Sequence, residues 1–551
     1  MSKKSFIQGA AVLAVAGLLV KILGAIFRIP LGNMIGAVGM AYYQPAYYIY
    51  NLFLVLATSG IPVAISRMVS ERISCGQFYE ADRVFKISRT LMLTIGCCSF
   101  VAVFFGAELF AELSNVPNAA LAVKAISPAL ILVPFMASYR GYFQGMQEMT
   151  PTAVSQFVEQ FFRVAVGLTL AYTLFHSMMK AMQAGGSAFT PEEAGAAGAT
   201  VGAAAGAVGG LLVMLIVYYK NKGKIQQRIK NERKEHHIKR ESGKSILKQI
   251  VVIAIPITIG AAVMPIVNII DVAVVTNRLL ASGWEQTVAE DMYGQLSSFC
   301  GALINFPQVM TQAVAMSLVP LVAAAFKQKD MPFLRENVES GVRMAVIMGM
   351  PCAVGLFTLA EPILLLLYGS EQARASAIAA APCLMVLSVG VVFLAIVQTL
   401  TGVLQGVGKQ MIPVRNLVVG VTAKIIITWV LTAIPSINIL GAATGTVCAY
   451  IIAATLDLKA VTKYTGTHFS FMKTAVKPFI SCAVMGLGTW GSYHLLYNLL
   501  DGSRLATIGA IMIAVVIYVI MIFVTKTITR EELEKLPKGT KLVKIYDKFV
   551  R

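Results

Sequence analysis

Charge is scarce in this sequence, and acidic charge is the scarcer of the two. Asp, Glu, Lys and Arg make up 13% of the 551 residues, against about 25% in soluble proteins, so a soluble globular class is excluded. None of the eight Cys forms a CxxC pair, and the five His show no ligand spacing. No catalytic Ser, His and Asp pattern occurs, and Gly243-Lys244-Ser245 lacks the upstream Gly of a phosphate loop because Ile238 stands there. We therefore expect no enzyme activity, no cofactor and no metal site.

Apolar runs are what the sequence has in abundance, since 57% of its residues are hydrophobic. Runs of about 20 apolar residues match the ~30 Å hydrocarbon core of a bilayer. They predict an all-α integral membrane protein with fourteen transmembrane helices, the first being a span and not a cleaved signal peptide. The predicted spans are 6–27, 46–65, 87–107, 121–143, 152–175, 196–219, 246–270, 296–325, 342–367, 376–403, 412–434, 438–457, 475–497 and 504–525.

The net charge of +19 might suggest nucleic acid, but the positions of the Lys and Arg residues indicate topology. Most of them lie in alternate loops, which is the positive-inside pattern of a membrane protein. We therefore predict a multi-pass plasma-membrane protein with both termini in the cytoplasm and no nucleic-acid partner. The basic linker 221–245 either contacts anionic lipid headgroups or is a solvated anchor, and 526–551 is a basic cytoplasmic tail.

The sequence contains an internal repeat. Gly141, Gln144 and Gly145 recur as Gly402, Gln405 and Gly406, 261 residues later, and Arg163 is matched by Lys424 at the same interval. The Gly-rich starts of the sixth and twelfth spans match at an interval of 246. Two parallel six-helix repeats follow, an N-lobe 1–220 and a C-lobe 246–460, with two additional helices in 461–525.

Charged residues inside spans usually face a cavity or one another, because hydrocarbon penalises them by at least ~2.5 kcal/mol. Lys21 and Arg28 are either cavity cations or snorkelling side chains. Glu159 and Arg163 have the i, i+4 spacing of an ion pair, which is structural or gating, or else contacts substrate. Further candidates for the cavity lining are Asn51, Asn268, Asp271, Arg278 and Gln308. The excess of cations favours an anionic, phosphate-bearing cargo.

Three segments carry a family resemblance. The run 139–163, around Gly141 and Gln144, resembles the signature of SpoVB/YtgP-type polysaccharide transporters, and 21–32 and 58–67 are similar too. That family belongs to the MOP superfamily, with MurJ-type lipid II flippases and drug-exporting MATE proteins. The resemblance implies two V-shaped lobes around a cavity lined by helices 1, 2, 7 and 8, and a lipid-facing groove formed by the two extra helices. The midspan arginines of helices 2 and 8 in MurJ-like members have no counterpart here.

These observations together predict a flippase for a lipid-linked saccharide, most directly undecaprenyl-diphosphate-linked peptidoglycan precursor (lipid II). We expect alternating access, membrane-lipid contacts, a coupling ion (Na⁺ or H⁺) and a monomer. A MATE-like ion-coupled drug exporter is the first alternative. The second alternative is a transporter of another polysaccharide or spore-envelope precursor. The third is a non-transporting partner in envelope assembly.

Overall fold

The computed structural model describes residues 3–186, 188–235, 241–470, 472–500 and 504–528. The chain is predominantly helical in those ranges and forms no β-strand within them. The predicted all-α class is therefore confirmed. Most of the predicted tail 526–551, and residues 236–240 of the predicted linker, fall outside the described residues.

The described residues form nineteen α-helices. In chain order they are α1 Lys3–Thr58, α2 Ile61–Ser74, α3 Phe78–Phe105, α4 Ala107–Leu113, α5 Ala120–Ile126, α6 Ala129–Gly145, α7 Thr150–Gln183, α8 Pro191–Glu235, α9 Gly243–Ala281, α10 Gln286–Gly294, α11 Gly301–Gln328, α12 Met331–Thr358, α13 Ala360–Leu367, α14 Arg374–Ala379, α15 Ala381–Gly406, α16 Met411–Leu431, α17 Ile439–Thr465, α18 Lys477–Leu499 and α19 Arg504–Val524. A π-helical turn, Gln295–Cys300, precedes α11, and another, Met472–Val476, precedes α18.

Twelve helical stretches of the described chain are long and apolar enough to cross a membrane. The first, Ile22–Ser74, contains the second predicted span, 46–65, and the last six residues of the first, 22–27. The helix α18 is not among the twelve, since its second half carries polar residues such as Thr489 and His494. The membrane class is confirmed, and the number fourteen stays a prediction.

The first two predicted spans are joined by helix and not by a loop. The helix α1 continues through residues 28–45 and is interrupted at Gly36, whose φ is 67° and ψ is −176°. Glycine adopts this backbone conformation without the steric penalty that a Cβ would bring. The chain can therefore change direction at one residue while its neighbours stay helical.

The chain divides into two compact units. The first comprises Met1–Asn277 and Glu285–Gly294, and the second Arg278–Trp284 and Gln295–Arg551. Contacts thus group most of α9 with the first unit, although the repeat counts α9 as the first helix of its second copy. At Gly60 a Cβ would lie 2.2 Å from the carbonyl oxygen of Ala254, so α9 packs directly on the junction between α1 and α2.

The Gln-Gly motif is a helix-packing device that is used identically in both repeats. A Cβ at Gly141 would lie 2.8 Å from the Pro62 oxygen, and one at Gly145 2.8 Å from the Ser66 oxygen. The second copy repeats both approaches: the Gly402 position meets the oxygen of Ala315 at 2.8 Å, and the Gly406 position meets that of Val319 at 2.9 Å. Only glycine allows two helices to approach so closely. The packing within each unit thus reproduces the repeat seen in the sequence.

The structure corrects the repeat register of the sixth and twelfth spans by about one helical turn. A Cβ at Gly202 would meet the Arg163 oxygen at 2.6 Å, and the corresponding approach in the second repeat is made by Gly445 to the Lys424 oxygen at 3.1 Å. These glycines are 243 residues apart, not 246. Sequence matching chose the wrong turn because both helices contain several Gly residues at short intervals, and only the contacts with α7 and α16 distinguish them.

The two helices beyond the repeat, α18 and α19, pack on α12. Their shared core contains Ile347, Cys482, Met485 and Tyr518. The Tyr518 hydroxyl donates a hydrogen bond to the Ile347 oxygen at 2.5 Å. These helices are therefore an integral part of the second unit.

Candidate functional site

A row of tyrosines on the second half of α1 forms the centre of the candidate site. Tyr43, Tyr47 and Tyr50 follow at intervals of four and three residues, which places them on one helix face. The rings of Tyr43 and Tyr47 are stacked with centroids 6.1 Å apart, and those of Tyr47 and Tyr50 are 6.2 Å apart. Phe27, from the first half of α1, extends the row, 5.9 Å from Tyr43. We call Tyr43, Tyr47 and Tyr50 the tyrosine row.

Arg163 of α7 lies against the tyrosine row. Its Nη2 donates a hydrogen bond to the Tyr43 hydroxyl at 3.2 Å, and its guanidinium lies 4.9 Å from the centre of the Tyr47 ring. The face of an aromatic ring attracts a cation, and more strongly where water is excluded. No carboxylate among the described residues forms an ion pair with Arg163. The positive charge is thus held by neutral aromatic groups.

Glu159 is paired with Arg140 and not with Arg163, which corrects the predicted i, i+4 pair. Arg140 Nη2 lies 2.8 Å from Glu159 Oε2, and Arg140 Nε donates to the Ser155 hydroxyl at 2.8 Å. The two side chains are only 13% and 24% exposed. Spacing along α7 concerns Arg163 alone and does not determine which residue of another helix comes close. The packing of α6 on α7 brings Arg140 to the carboxylate.

Arg28 and Asp271 both lie near Tyr48, the residue that follows Tyr47. Arg28 is within electrostatic range of the Tyr47 and Tyr48 hydroxyls, and Asp271 of α9 is within range of Tyr48. Thus α1, α7 and α9 of the first unit bring together three charged residues that the sequence singled out. Asn51 follows Tyr47 by one turn of α1, and Asn268 precedes Asp271 by one turn of α9; both are partly buried. The Lys21 side chain lies outside the described part of the structure.

The site therefore combines two guanidinium groups, one carboxylate and the tyrosine row, in which Tyr43 and Tyr50 are buried and Tyr47 is partly buried. The carboxylate of Glu159 adds no net negative charge because Arg140 neutralises it. The sequence-based predictions did not include these tyrosines. The signal was present in the sequence, since Tyr42, Tyr43, Tyr47 and Tyr48 place four phenols within seven residues of an apolar segment.

A second polar cluster lies in the second unit, around Gln308. Gln308 Nε2 donates to Asn305 at 2.9 Å, and Gln398 Nε2 donates to Gln308 at 3.4 Å. The Thr311 hydroxyl donates to Gln398 at 2.5 Å. The predicted polar residue Gln308 is thus part of a network of uncharged groups that joins α11 to α15.

Two further predicted residues have separate surroundings in the second unit. The Arg278 guanidinium lies 4.4 Å from the centre of the Trp429 ring, and its Nε donates to the Trp429 oxygen at 3.1 Å. This contact ties the end of α9 to α16. Lys424, the repeat counterpart of Arg163, lies on α16 one turn after Gly420.

The two glutamines of the repeated motif differ in their surroundings. Gln144 borders a pocket of about 400 Å³ together with Ser66, Arg67 and Gln147, whereas Gln405 is exposed.

The linker is anchored to the first unit by hydrogen bonds. Arg72, which is 9% exposed, donates to Glu241 at 2.6 Å, and the Ser245 hydroxyl donates to Glu241 at 2.9 Å. Partial burial raises the pKa of Glu241, but the hydrogen bonds and charge of Arg72 outweigh it and hold that pKa below its usual range. On α8, Glu232 accepts a hydrogen bond from the backbone N–H of Tyr79 at 2.7 Å. We call the Arg72–Glu241 contact the linker clasp.

The described residues contain no group of three or more His, Cys, Asp or Glu that could hold a metal ion. All eight Cys, which lie within them, are free.

Comparison with known proteins adds the family. A model described as polysaccharide biosynthesis protein matches residues 6–326. The chain belongs to this family. A second model, MatE, matches residues 297–430. The chain is 27% identical over 501 residues to the Lipid II flippase MurJ of Bacillus subtilis (strain 168), covering 88% of each chain. It is 26% identical over 550 residues to Stage V sporulation protein B of the same organism, covering 98% of each.

The solved structures support the fold. A structure of Lipid II flippase MurJ in an inward closed conformation superposes with a TM-score of 0.65, at 15% identity, covering 92% of this chain and 97% of the other. At that identity the likeness concerns the fold alone. This member of the polysaccharide biosynthesis protein family is therefore a multi-pass membrane protein with the fold of the MOP superfamily, as the resemblance predicted.

Proposed function

We propose that this protein is a flippase that moves a lipid-linked saccharide from the cytoplasmic to the outer leaflet of the plasma membrane by alternating access. The cargo in this proposal is undecaprenyl-diphosphate-linked peptidoglycan precursor, lipid II. The family match over residues 6–326 and the likeness to a lipid II flippase over 88% of the chain support a transporter of this class. In this proposal both termini are cytoplasmic, the protein acts as a monomer without a cofactor, and an ion gradient drives transport.

The observation that carries the proposal is Arg163 at the tyrosine row. An ionisable group inside a membrane span is a functional candidate by default, because its burial is expensive. Arginine has five N–H donors, and Tyr43 accepts from one of them. The donors that remain can bind a phosphate in bidentate geometry. Since Arg140 already neutralises Glu159, an anionic cargo is the natural counter-charge for Arg163.

Arg28 and the tyrosine hydroxyls extend this arrangement. A diphosphate carries more than one negative charge, so two guanidinium groups near one row of hydroxyls suit it better than a single cation would. Lys21, seven residues before Arg28, stays a predicted third cation. The polyprenyl chain would remain in the lipid.

The test is reconstitution in vesicles with fluorescent lipid II, with flipping measured by the accessibility of the headgroup to a reagent outside. We expect Arg163→Ala to lower the rate at least tenfold, and Arg163→Lys to recover part of it, because Lys keeps the charge and loses the bidentate geometry. Arg67→Ala is the matched control, since Arg67 is 65% exposed and forms its ion pair with the neighbouring Glu71. Unchanged flipping in the double variant Arg28→Ala with Arg163→Ala would refute the assignment.

The MatE match to residues 297–430 supports one alternative, an ion-coupled drug exporter. A cationic drug would require an acid that is free to bind it, whereas Glu159 is held by Arg140, and Asp271 acts on the same tyrosine, Tyr48, as the cation Arg28. Vesicles that transport a cationic dye but not labelled lipid II would favour the exporter. Complementation of cells depleted of their lipid II flippase separates lipid II from another saccharide cargo.

A further inference from the structure

Asp457 is a buried acid that the proposed cargo site does not use. It lies on α17 in the second unit and is only 1% exposed. Asn416 of α16 donates a hydrogen bond to its Oδ1 at 2.8 Å. The other oxygen, Oδ2, is buried and has no hydrogen-bond partner among the described residues. A carboxylate in this position would be an uncompensated charge inside the protein, which costs several kcal/mol.

The charged groups of the neighbouring helices do not compensate it. The helix α15 carries no charged residue, and no Lys or Arg in the described chain forms an ion pair with Asp457. The charged residues on its own helix and on the helices packed against it are Lys459 and Lys463 of α17, Arg415 and Lys424 of α16, and Arg335, Glu336, Glu339 and Arg343 of α12.

The internal repeat supplies a comparison within the same molecule. At the interval of 261 residues, Asn416 corresponds to Ser155, to which Arg140 donates a hydrogen bond while neutralising Glu159. Arg140 corresponds to Thr401 in the second repeat. At the interval of 243 residues, Asp457 corresponds to Met214. The first repeat thus has an acid with its arginine, and the second has an acid without one.

We propose that Asp457 is a proton-binding site of the second unit, and that Asn416 orients its carboxyl group. In the buried state the carboxylate binds one proton and becomes a neutral carboxylic acid. When a conformational change admits water to Oδ2, the acid returns the proton to water. Two O-donor side chains are too few for a metal cation, which needs about six ligands in a typical oxygen site. If the proposed transport function holds, this residue couples proton movement to it.

The first test does not depend on transport. A hydrophobic carbodiimide modifies protonated carboxyl groups that are shielded from water, and peptide mass spectrometry locates the label. We expect labelling at Asp457 at pH 7, with a decline as the pH is raised, and at least tenfold less at the exposed Glu371. Equal labelling of both residues would overturn the proposal. Suppression of the Asp457 label by Na⁺ at constant pH would also overturn it, in favour of a metal cation.

The second test uses Asp457→Asn, which has nearly the same shape as the neutral acid and cannot lose a proton. In vesicles with fluorescent lipid II, we expect an inward or outward pH gradient to change wild-type flipping several-fold and to leave the variant unchanged. Glu371→Gln is the matched control. A variant that keeps the full response to the gradient would refute the coupling role. Loss of flipping in every variant and in the wild type would instead count against lipid II as cargo, while the labelling result would still decide the proton site.

Discussion

Two glycines of α8, Gly206 and Gly223, allow a prediction with an internal control. Gly206 lies where α8 crosses α7. A Cβ there would be 2.4 Å from the backbone carbonyl oxygen of Glu159 and 3.1 Å from the Arg163 Cβ. Gly223 lies in the same helix, and a Cβ there would meet nothing within 4 Å. The same substitution, Gly to Ala, should therefore have opposite effects at the two positions.

The expected magnitudes follow from two opposing terms. Replacing a helical Gly by Ala stabilises the helix by roughly 0.5–1 kcal/mol. At Gly206 the new methyl group contacts a backbone oxygen, which cannot rotate away, so α7 and α8 must separate. Overpacking of this kind costs about 1–3 kcal/mol. We expect Gly206→Ala to lower the free energy of unfolding by about 1 kcal/mol or more, and Gly223→Ala to raise it by up to about 1 kcal/mol.

The measurement is thermal unfolding of the purified protein in one detergent, followed by tryptophan fluorescence and by the rate of loss of the monodisperse species. Rates are included because many large proteins unfold irreversibly. Separation of α7 from α8 also shifts Glu159 and Arg163, so Gly206→Ala should lower lipid II flipping while Gly223→Ala leaves it unchanged. If Gly206→Ala raised the free energy of unfolding as Gly223→Ala does, the close contact at Gly206 would not be the reason for its glycine.

Three other predictions concern single contacts. Arg140→Met should destabilise the protein by about 3 kcal/mol, because Glu159 is left buried without its partner, and adding Glu159→Gln should restore most of the loss in thermal unfolding. The linker clasp should weaken at acid pH: the folded-state pKa of Glu241 lies below its usual value of about 4.3, so its contribution is complete above that pH and is lost as the pH falls through the folded-state pKa. The measurement is the hydrogen-exchange protection of residues 72–79 at pH 3.5 and pH 7, with each rate compared to the intrinsic amide rate at that pH, and Arg72→Gln should show low protection at both. Tyr518→Phe should cost about 1 kcal/mol by removing its hydrogen bond to a backbone oxygen of α12, and should increase exchange in α18 and α19 alone.

Each of these has an outcome that contradicts it. An Arg140→Met protein as stable as the wild type would mean that Glu159 is solvated or neutral. Exchange protection in 72–79 that is the same at both pH values in the wild type would exclude ionised Glu241 as the clasp. Faster exchange throughout the second unit of Tyr518→Phe would indicate that the hydroxyl supports the whole unit and not the docking of two helices.

The sequence by itself determined the helices, the membrane class and the repeat. Span positions depend on the local density of apolar residues, so every predicted span falls on helix in the structure. The Gln-Gly motif identified the repeat because its glycines fill the same packing role twice, at Gly141 and at Gly402. Patterns of this kind depend only on the order of residues along the chain, so they can be recognised before the fold is known.

Only the tertiary structure decided which charges meet. Glu159 had Arg163 four residues away, yet Arg140 of another helix neutralises it. Arg163 instead contacts the tyrosine row. Asp457 accepts a hydrogen bond from the amide of Asn416 and forms no ion pair among the described residues. Spacing along one helix defines which residues share a face, but the partner on the next helix depends on the approach and register of both. In this protein glycines allow the helices to approach closely, and which backbone atoms each glycine contacts is determined only by the packed structure.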